Sequence, residues 1–255
     1  MNCVTVRNVR IGEGIPKICV PIVGITENDI IEEIKKVMLL DVDLLEWRVD
    51  YYEHCFDAQK IVQTLKKIRC LTKETPIIFT FRTAKEGGTK EISAEEYKTI
   101  LCAAIQSQQI DIVDIELFTN KDTVLSLLEK AKEYSIYTIL SSHDFEKTPE
   151  EQEIIKRLCY MQELGSDITK IAVMPRNKKD VLTLLSATEK MQHMADRPFI
   201  TMSMSGIGSI SRVTGEIFGS AITFGVGEKS SAPGQIESKK LKQVLKIIHD
   251  SIMER

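Results

Sequence analysis

Short apolar runs of β type alternate with amphipathic stretches along nearly all of the 255-residue chain. The runs fall at residues 17–23, 43–49, 76–82, 111–117, 136–141, 168–173, 198–203 and 220–225. Helical spacing lies between them, as at 28–40, 58–71, 94–108 and 178–194. In the first of these stretches Ile30, Ile31, Ile34, Val37 and Met38 share one face. Leu241, Val244, Leu245, Ile248 and Ile252 do the same in a final helix near 238–253. Eight strand–helix units with short connections predict an α/β fold, a single-domain (β/α)8 TIM barrel. The competing architecture is an open doubly wound sheet, but Pro21-Ile22-Val23-Gly24-Ile25-Thr26 supplies no glycine-rich phosphate loop after the first strand. Alternating Val4, Val6 and Val9 predict a short N-terminal β-hairpin that closes the barrel floor. No proline-glycine linker divides residues 1–255, so the chain reads as one barrel domain.

Composition narrows the function classes. A hydrophobic fraction of 43% and a charged fraction of 28% suit a globular chain with a large core. The net charge of −3 leaves no electrostatic footprint for nucleic acid, while a few local arginines suffice for a small anion. The opening Met1-Asn2-Cys3-Val4-Thr5-Val6-Arg7 lacks the apolar stretch of a signal peptide. No run approaches the roughly 18 apolar residues of a membrane span, so a cytoplasmic protein is expected. Six scattered cysteines without a CxxC pair read as small buried thiols, and four histidines lack metal-ligand spacing. Neither disulfides nor a metal are expected.

One residue breaks the apolar pattern in a way that asks for chemistry. Lys170 interrupts Ile168-Thr169-Lys170-Ile171-Ala172-Val173, and a lysine buried by strands must lose its charge, find partners or react. Snorkelling to the barrel mouth is the bland reading. His143, at the end of the preceding strand, is a proton carrier at neutral pH. A lysine amine and a histidine on adjacent strands suggest an imine-forming enzyme.

Other polar residues gather at strand ends, where barrels place their sites. Alternation puts Glu46 and Arg48 on one face, either as an ion pair or as substrate ligands. Arg82 ends the third strand and Glu86 follows before Gly87-Gly88; they read as solvated loop residues or as site groups. Asp114 and Glu116 share a face and either orient Lys170 or His143 or form a structural network. Met202 to Arg212 runs from the seventh strand through a glycine-bearing loop into a helix, a candidate anion site with Arg212. The loop from Ser230 to Gln235 reads as a segment that closes over the mouth or as a plain connection.

Five ordered motifs together resemble type I 3-dehydroquinate dehydratase: Glu46-Trp47-Arg48-Val49-Asp50, Phe79-Thr80-Phe81-Arg82, Ser142-His143-Asp144-Phe145, Lys170-Ile171-Ala172-Val173-Met174-Pro175 and Ser231-Ala232-Pro233-Gly234-Gln235. The resemblance spans nearly the whole chain. It implies a homodimer of (β/α)8 barrels that converts 3-dehydroquinate to 3-dehydroshikimate in the shikimate pathway without a cofactor. It assigns Lys170 as nucleophile, His143 as acid and base, and Glu86 as the partner of His143. It also implies that Arg212, Ser231 and Gln235 hold the substrate carboxylate. Glu46, Arg48 and Arg82 would engage the hydroxyl groups, with apolar contact from Met204 and Phe224. Two positions depart from the family pattern: Pro21 stands where a serine is frequent, and Ser142 where asparagine or tyrosine is frequent. A class I aldolase-like barrel is the nearest alternative, though it would call for a phosphate site. A metabolite-binding barrel without catalysis is the other.

Overall fold

The structure, a computed structural model, describes residues 3–227 and 231–254. An antiparallel hairpin of β1 (Val4–Val6) and β2 (Val9–Ile11) comes first, with Arg7 at φ 52° in its turn. Barrel strands then alternate with helices: β3 (Lys17–Ile22), α1 (Glu27–Val37), β4 (Leu44–Arg48), α2 (Ala58–Thr72), β5 (Ile77–Thr80), α3 (Ala94–Ser107), β6 (Ile112–Glu116) and α4 (Lys121–Glu133). The second half continues with β7 (Tyr137–Asp144), α5 (Glu151–Glu163), β8 (Ile168–Val173), α6 (Lys178–Met194), β9 (Phe199–Ser203), the short α7 (Gly215–Phe218), β10 (Ile222–Val226), β11 (Ile236–Glu237) and α8 (Ser238–Met253). Helix starts follow local chemistry: Thr26 with Asp29 and Ser93 with Glu96 form capping boxes at α1 and α3. The eight predicted β runs all form strands, and the expected barrel and hairpin are present.

Strand alternation sorts the interior into layers. Cys19, Leu44, Ile78, Ile112, Ile139, Ile168, Ile200 and Ile222, one from each barrel strand, form a buried apolar base. Val6 and Ile11 of the hairpin join that cluster and close the floor as expected. Two residues further along the strands come Glu46, Thr80, Asp114, Ser141 and Lys170, also buried. Outward residues such as Val20, Trp47, Phe79 and Ile115 pack with Ile30, Ile34, Ile61 and Leu65 of the helices. The floor is thus apolar and the mouth polar, so polar groups can project only toward the carboxyl ends of the strands.

The barrel closes through a thin seam. The sheet order is β11-β10-β3-β4-β5-β6-β7-β8-β9, and Phe199 of β9 meets Ser220, just before β10, in a single parallel bridge. Ser220 Oγ accepts from the Thr201 amide at 3.0 Å and donates to the Thr201 carbonyl at 3.3 Å, standing in for missing ladder bonds. Nearer the mouth the two strands part, and β11 pairs in parallel with Gly225 and Val226 instead. Among the described residues no helix is long and apolar enough to cross a membrane.

Removing the Ser220 hydroxyl leaves the buried Thr201 amide unsatisfied. Ser220→Ala is expected to lower the unfolding free energy by about 1–3 kcal/mol. Urea denaturation should show a lower midpoint with an unchanged slope.

Candidate active site

Arg82 is the centre of the buried polar layer. Its Nη1 donates to Glu116 Oε1 at 2.9 Å and reaches Glu86 Oε2 at 3.5 Å, while Nη2 donates to Asp114 Oδ1 at 2.8 Å. Burial favours loss of the proton, but the three surrounding carboxylates prevail and push Arg82 well above its ordinary value. Glu116 is fixed further by the Thr83 amide and hydroxyl, at 2.9 and 2.7 Å. Arg48 pairs with Asp50 rather than with Glu46, through Nε to Oδ1 at 2.8 Å and Nη2 to Oδ2 at 2.9 Å. The strand ends at Arg48, and the 3-10 turn Val49–Tyr51 curls Asp50 back beneath the guanidinium.

Lys170 does not snorkel. It is only 3% exposed; its Nζ donates to Asp114 Oδ2 at 3.1 Å and lies 3.6 Å from Glu46 Oε1. The Phe224 ring centroid is 4.5 Å from the same nitrogen. Thr80 Oγ1 donates to Glu46 at 2.9 Å, and Ser141 Oγ donates to Asp114 at 2.6 Å, so both carboxylates are held from behind. Burial raises Asp114, but the charges of Arg82 and Lys170 outweigh it and keep this group well below the usual carboxylate range. The network serves both roles weighed for Asp114: it orients Lys170 and ties the barrel interior together.

His143 stands one layer above Lys170, because Ser141 pairs with Lys170 and His143 with Ala172 across β7 and β8. Glu86 is no solvated loop residue. The 3-10 turn Ala84–Glu86 folds it inward, where Oε2 accepts from the His143 amide at 3.0 Å and faces Nδ1 at 2.9 Å. Burial, reinforced by the nearby Glu116 charge, raises Glu86 to about 8. Burial and then the Arg82 and Lys170 charges push His143 well below 6.5. The two shifts together favour an uncharged pair in which Glu86 keeps its proton and the imidazole is neutral, with Oε2 accepting from Nδ1–H and Nε2 left unprotonated.

Arg212 supplies the opposite wall. It is 1% exposed, and its Nη1 and Nη2 donate to the carbonyls of Phe224 at 3.3 Å and Pro233 at 3.1 Å. Among the described residues its Nε has no partner and no carboxylate pairs with it, and burial lowers it to about 10. A buried guanidinium with a spare donor is chemically suited to an incoming carboxylate. The expected helix at this point is only the 3-10 turn Ser209–Arg212, so the cation itself, rather than helix amides, is the group available to an anion. The Ser231 amide donates to Gln235 Oε1 at 2.9 Å and Gln235 Nε2 to Ser231 Oγ at 3.1 Å, stiffening the segment over the mouth. Ser230, at the head of the expected closing loop, lies outside the described residues.

One narrow cavity of about 40 Å³ brings together Lys170, His143 and Glu86 with Glu46, Arg48, Arg82, Met204, Arg212, Phe224, Ser231 and Gln235. Met202, Ala172, Gly87 and Phe145 also line it, although sequence assigned none of them a substrate contact of its own. Pro21 is buried in β3 and does not line it, whereas Ser142 faces a separate outer cleft.

A family model for type I 3-dehydroquinase matches residues 18–252. The chain is 49% identical over 251 residues to 3-dehydroquinate dehydratase of Clostridium novyi, covering 98% of this chain and 99% of that protein. Among solved structures, a type I 3-dehydroquinate dehydratase from Clostridium difficile with covalent modified comenic acid superposes with a TM-score of 0.96 at 48% identity, covering 98% and 99% of the two chains. The Enterococcus faecalis 3-dehydroquinate dehydratase gives 0.91 at 45% identity, covering 96% and 98%.

The proton retained by Glu86 has a measurable consequence for stability. Between pH 4.5 and about 8 the folded chain keeps a proton on Glu86 that the unfolded chain has lost, so this group's contribution falls as pH rises. Below 6.5 His143 acts oppositely, because the unfolded imidazole binds a proton that the folded one does not. Below pH 6.5 the two effects oppose each other. Their net result is a decline in unfolding free energy from there to about pH 8, at most about 1.4 kcal/mol per pH unit. Denaturant titrations across pH should show this limb in the wild type, and Glu86→Gln should abolish it.

Proposed function

Because the chain belongs to the type I 3-dehydroquinase family and has the activity of a 3-dehydroquinate dehydratase, we propose that it eliminates water through a covalent imine on Lys170. The carrying observation is the buried Lys170 amine in one cavity with His143 and a carboxylate-free Arg212. The covalently modified ligand of the Clostridium difficile relative is consistent with covalent chemistry in such a pocket.

In this reading the substrate carboxylate takes the spare donor of Arg212, helped by Ser231 and Gln235. Lys170 attacks the C3 ketone, water leaves, and the iminium becomes an electron sink for the C2–H bond. His143, uncharged because of its burial, accepts the C2 proton and then delivers a proton to the departing C1 hydroxyl. Hydrolysis of the product imine frees Lys170. Glu86 holds Nδ1 so that the other ring nitrogen is available for these transfers. Glu46, Arg48 and Arg82 organise the wall that meets the hydroxyl groups, while Met204 and Phe224 give apolar contact. Asp114 positions the amine from below.

We propose residues 1–255 as one catalytic domain working as a cytoplasmic homodimer. Six free cysteines fit a reducing compartment. Exposed Ile210, Ile217 and Ile247 lie on elements near the His249–Glu216 contact, offering apolar surface to a second copy. Sedimentation equilibrium should return twice the 28.9 kDa chain mass.

Incubation with 3-dehydroquinate and borohydride should leave a reduced adduct on the Lys170 peptide by mass analysis. Lys170→Ala should lose both the adduct and the rise in enone absorbance. His143→Ala should still form some adduct while turnover falls by about 10²–10⁴-fold. A folded wild-type protein that gives neither adduct nor enone would sink the imine reading.

A further inference from the structure

The Glu86–His143 pair has a second side. Beyond it lies an outer cleft of about 1170 Å³, bounded by the chain after β5, the start of α3 and the loops after β6 and β7. Glu86, Gly87, His143 and Phe145 line both this cleft and the narrow cavity around Lys170. They form a wall only one residue thick.

The thin part of that wall is an aromatic ring laid on a glycine. A Cβ at Gly87 would stand 2.2 Å from Phe145 Cε2 and 2.4 Å from Cζ, so the ring occupies the place of the missing side chain. Gly87 has φ +82°, a conformation that disfavours other residues at the same point. Phe145 is 36% exposed, so only part of its surface is held by neighbours. Rotation of this ring would join the two spaces without moving a strand.

The chemistry creates traffic for such an opening. Resting on the imine reading above, condensation of the Lys170 amine with the ketone releases one water and forms the C=N bond. Loss of the C2 proton and C1 hydroxyl releases a second water, and hydrolysis consumes one to restore the ketone and the amine. A cavity of about 40 Å³ has little room beside a substrate, since each water needs about 10–15 Å³ of such space. The bonded Ser231–Gln235 segment covers its mouth. The outer cleft is lined by Glu91, Glu96, Glu116, Asp144 and Glu146 against Lys85 and Arg157, a balance that disfavours a carboxylate substrate and admits neutral water.

We propose that the Gly87–Phe145 contact is a water gate: water released during imine formation and elimination leaves through the outer cleft, and hydrolytic water enters by the same way, while the anionic substrate uses the mouth beside Arg212.

Oxygen tracing tests this. Unlabelled 3-dehydroquinate is mixed rapidly with excess enzyme in ¹⁸O water for one turnover. Excess borohydride then stops the reaction and fixes the product's keto oxygen as an alcohol for mass analysis. The gate predicts that the ratio of bulk-derived to substrate-derived oxygen rises in the order Ala84→Trp, wild type, Phe145→Ala, spanning severalfold. Ala84→Trp narrows the cleft from an exposed position, and Phe145→Ala removes the ring. Equal ratios in all three, with the Lys170 adduct formed in each, overturn the gate and leave the imine mechanism standing. Absence of the adduct from the wild type overturns the mechanism instead.

Discussion

One buried guanidinium holds the functional end of this barrel in order. Arg82 contacts carboxylates from its own connection and from β6, and through them it sets the positions of both Lys170 and His143. Asp114 divides its oxygens between Arg82 and the lysine amine; Glu86 lies between Arg82 and the imidazole. Removing the cation would leave Asp114 and Glu116 mutually repelling beside Glu86 in a space with little water, the costly half of a broken buried pair. Arrangement of the amine and the proton carrier is therefore an electrostatic property of the layer, and neither residue is placed by its own strand alone.

That layer can exist because the base below it is dry. Cys19, Leu44 and the isoleucines at 78, 112, 139, 168, 200 and 222 seal the lower barrel, with the hairpin residues Val6 and Ile11 beneath. Charges directly above an apolar plug cannot be hydrated from below, so they satisfy one another. The same desolvation removes charge from the Glu86–His143 pair and leaves Arg212 receptive to an anion. Apolar packing thus sets the reactivity of groups it does not touch.

Much of this was legible from periodicity. Alternation within β4, β6 and β8 correctly turned Glu46, Arg48, Asp114, Glu116 and Lys170 inward, and the eight apolar runs were enough to specify the barrel. Where strands end, alternation stops being informative. Arg48 met Asp50 instead of Glu46 because a 3-10 turn, invisible to a two-residue period, reverses the chain there. Spacing alone left Glu86 open between a solvated loop residue and a site group; its inward fold depends on the tight Gly87-Gly88 return, where any Cβ at Gly88 would collide with the Arg82 carbonyl. The two-residue strand β11 was too short to leave a pattern at all.

The seam between β9 and β10 gives the molecule an uneven resistance to local opening. Elsewhere neighbouring barrel strands share ladders of several paired residues, but here a single bridge and the Ser220 hydroxyl carry the closure. Above them, β11 and the Pro233 carbonyl fasten the mouth segment to β10, Arg212 and Ser205. Amide hydrogens along this line should therefore exchange with solvent through small excursions that leave the other seven strand contacts intact. The barrel has a built-in hem beside the buried Arg212 guanidinium, and it is there, rather than at the floor, that local opening costs the remaining fold least.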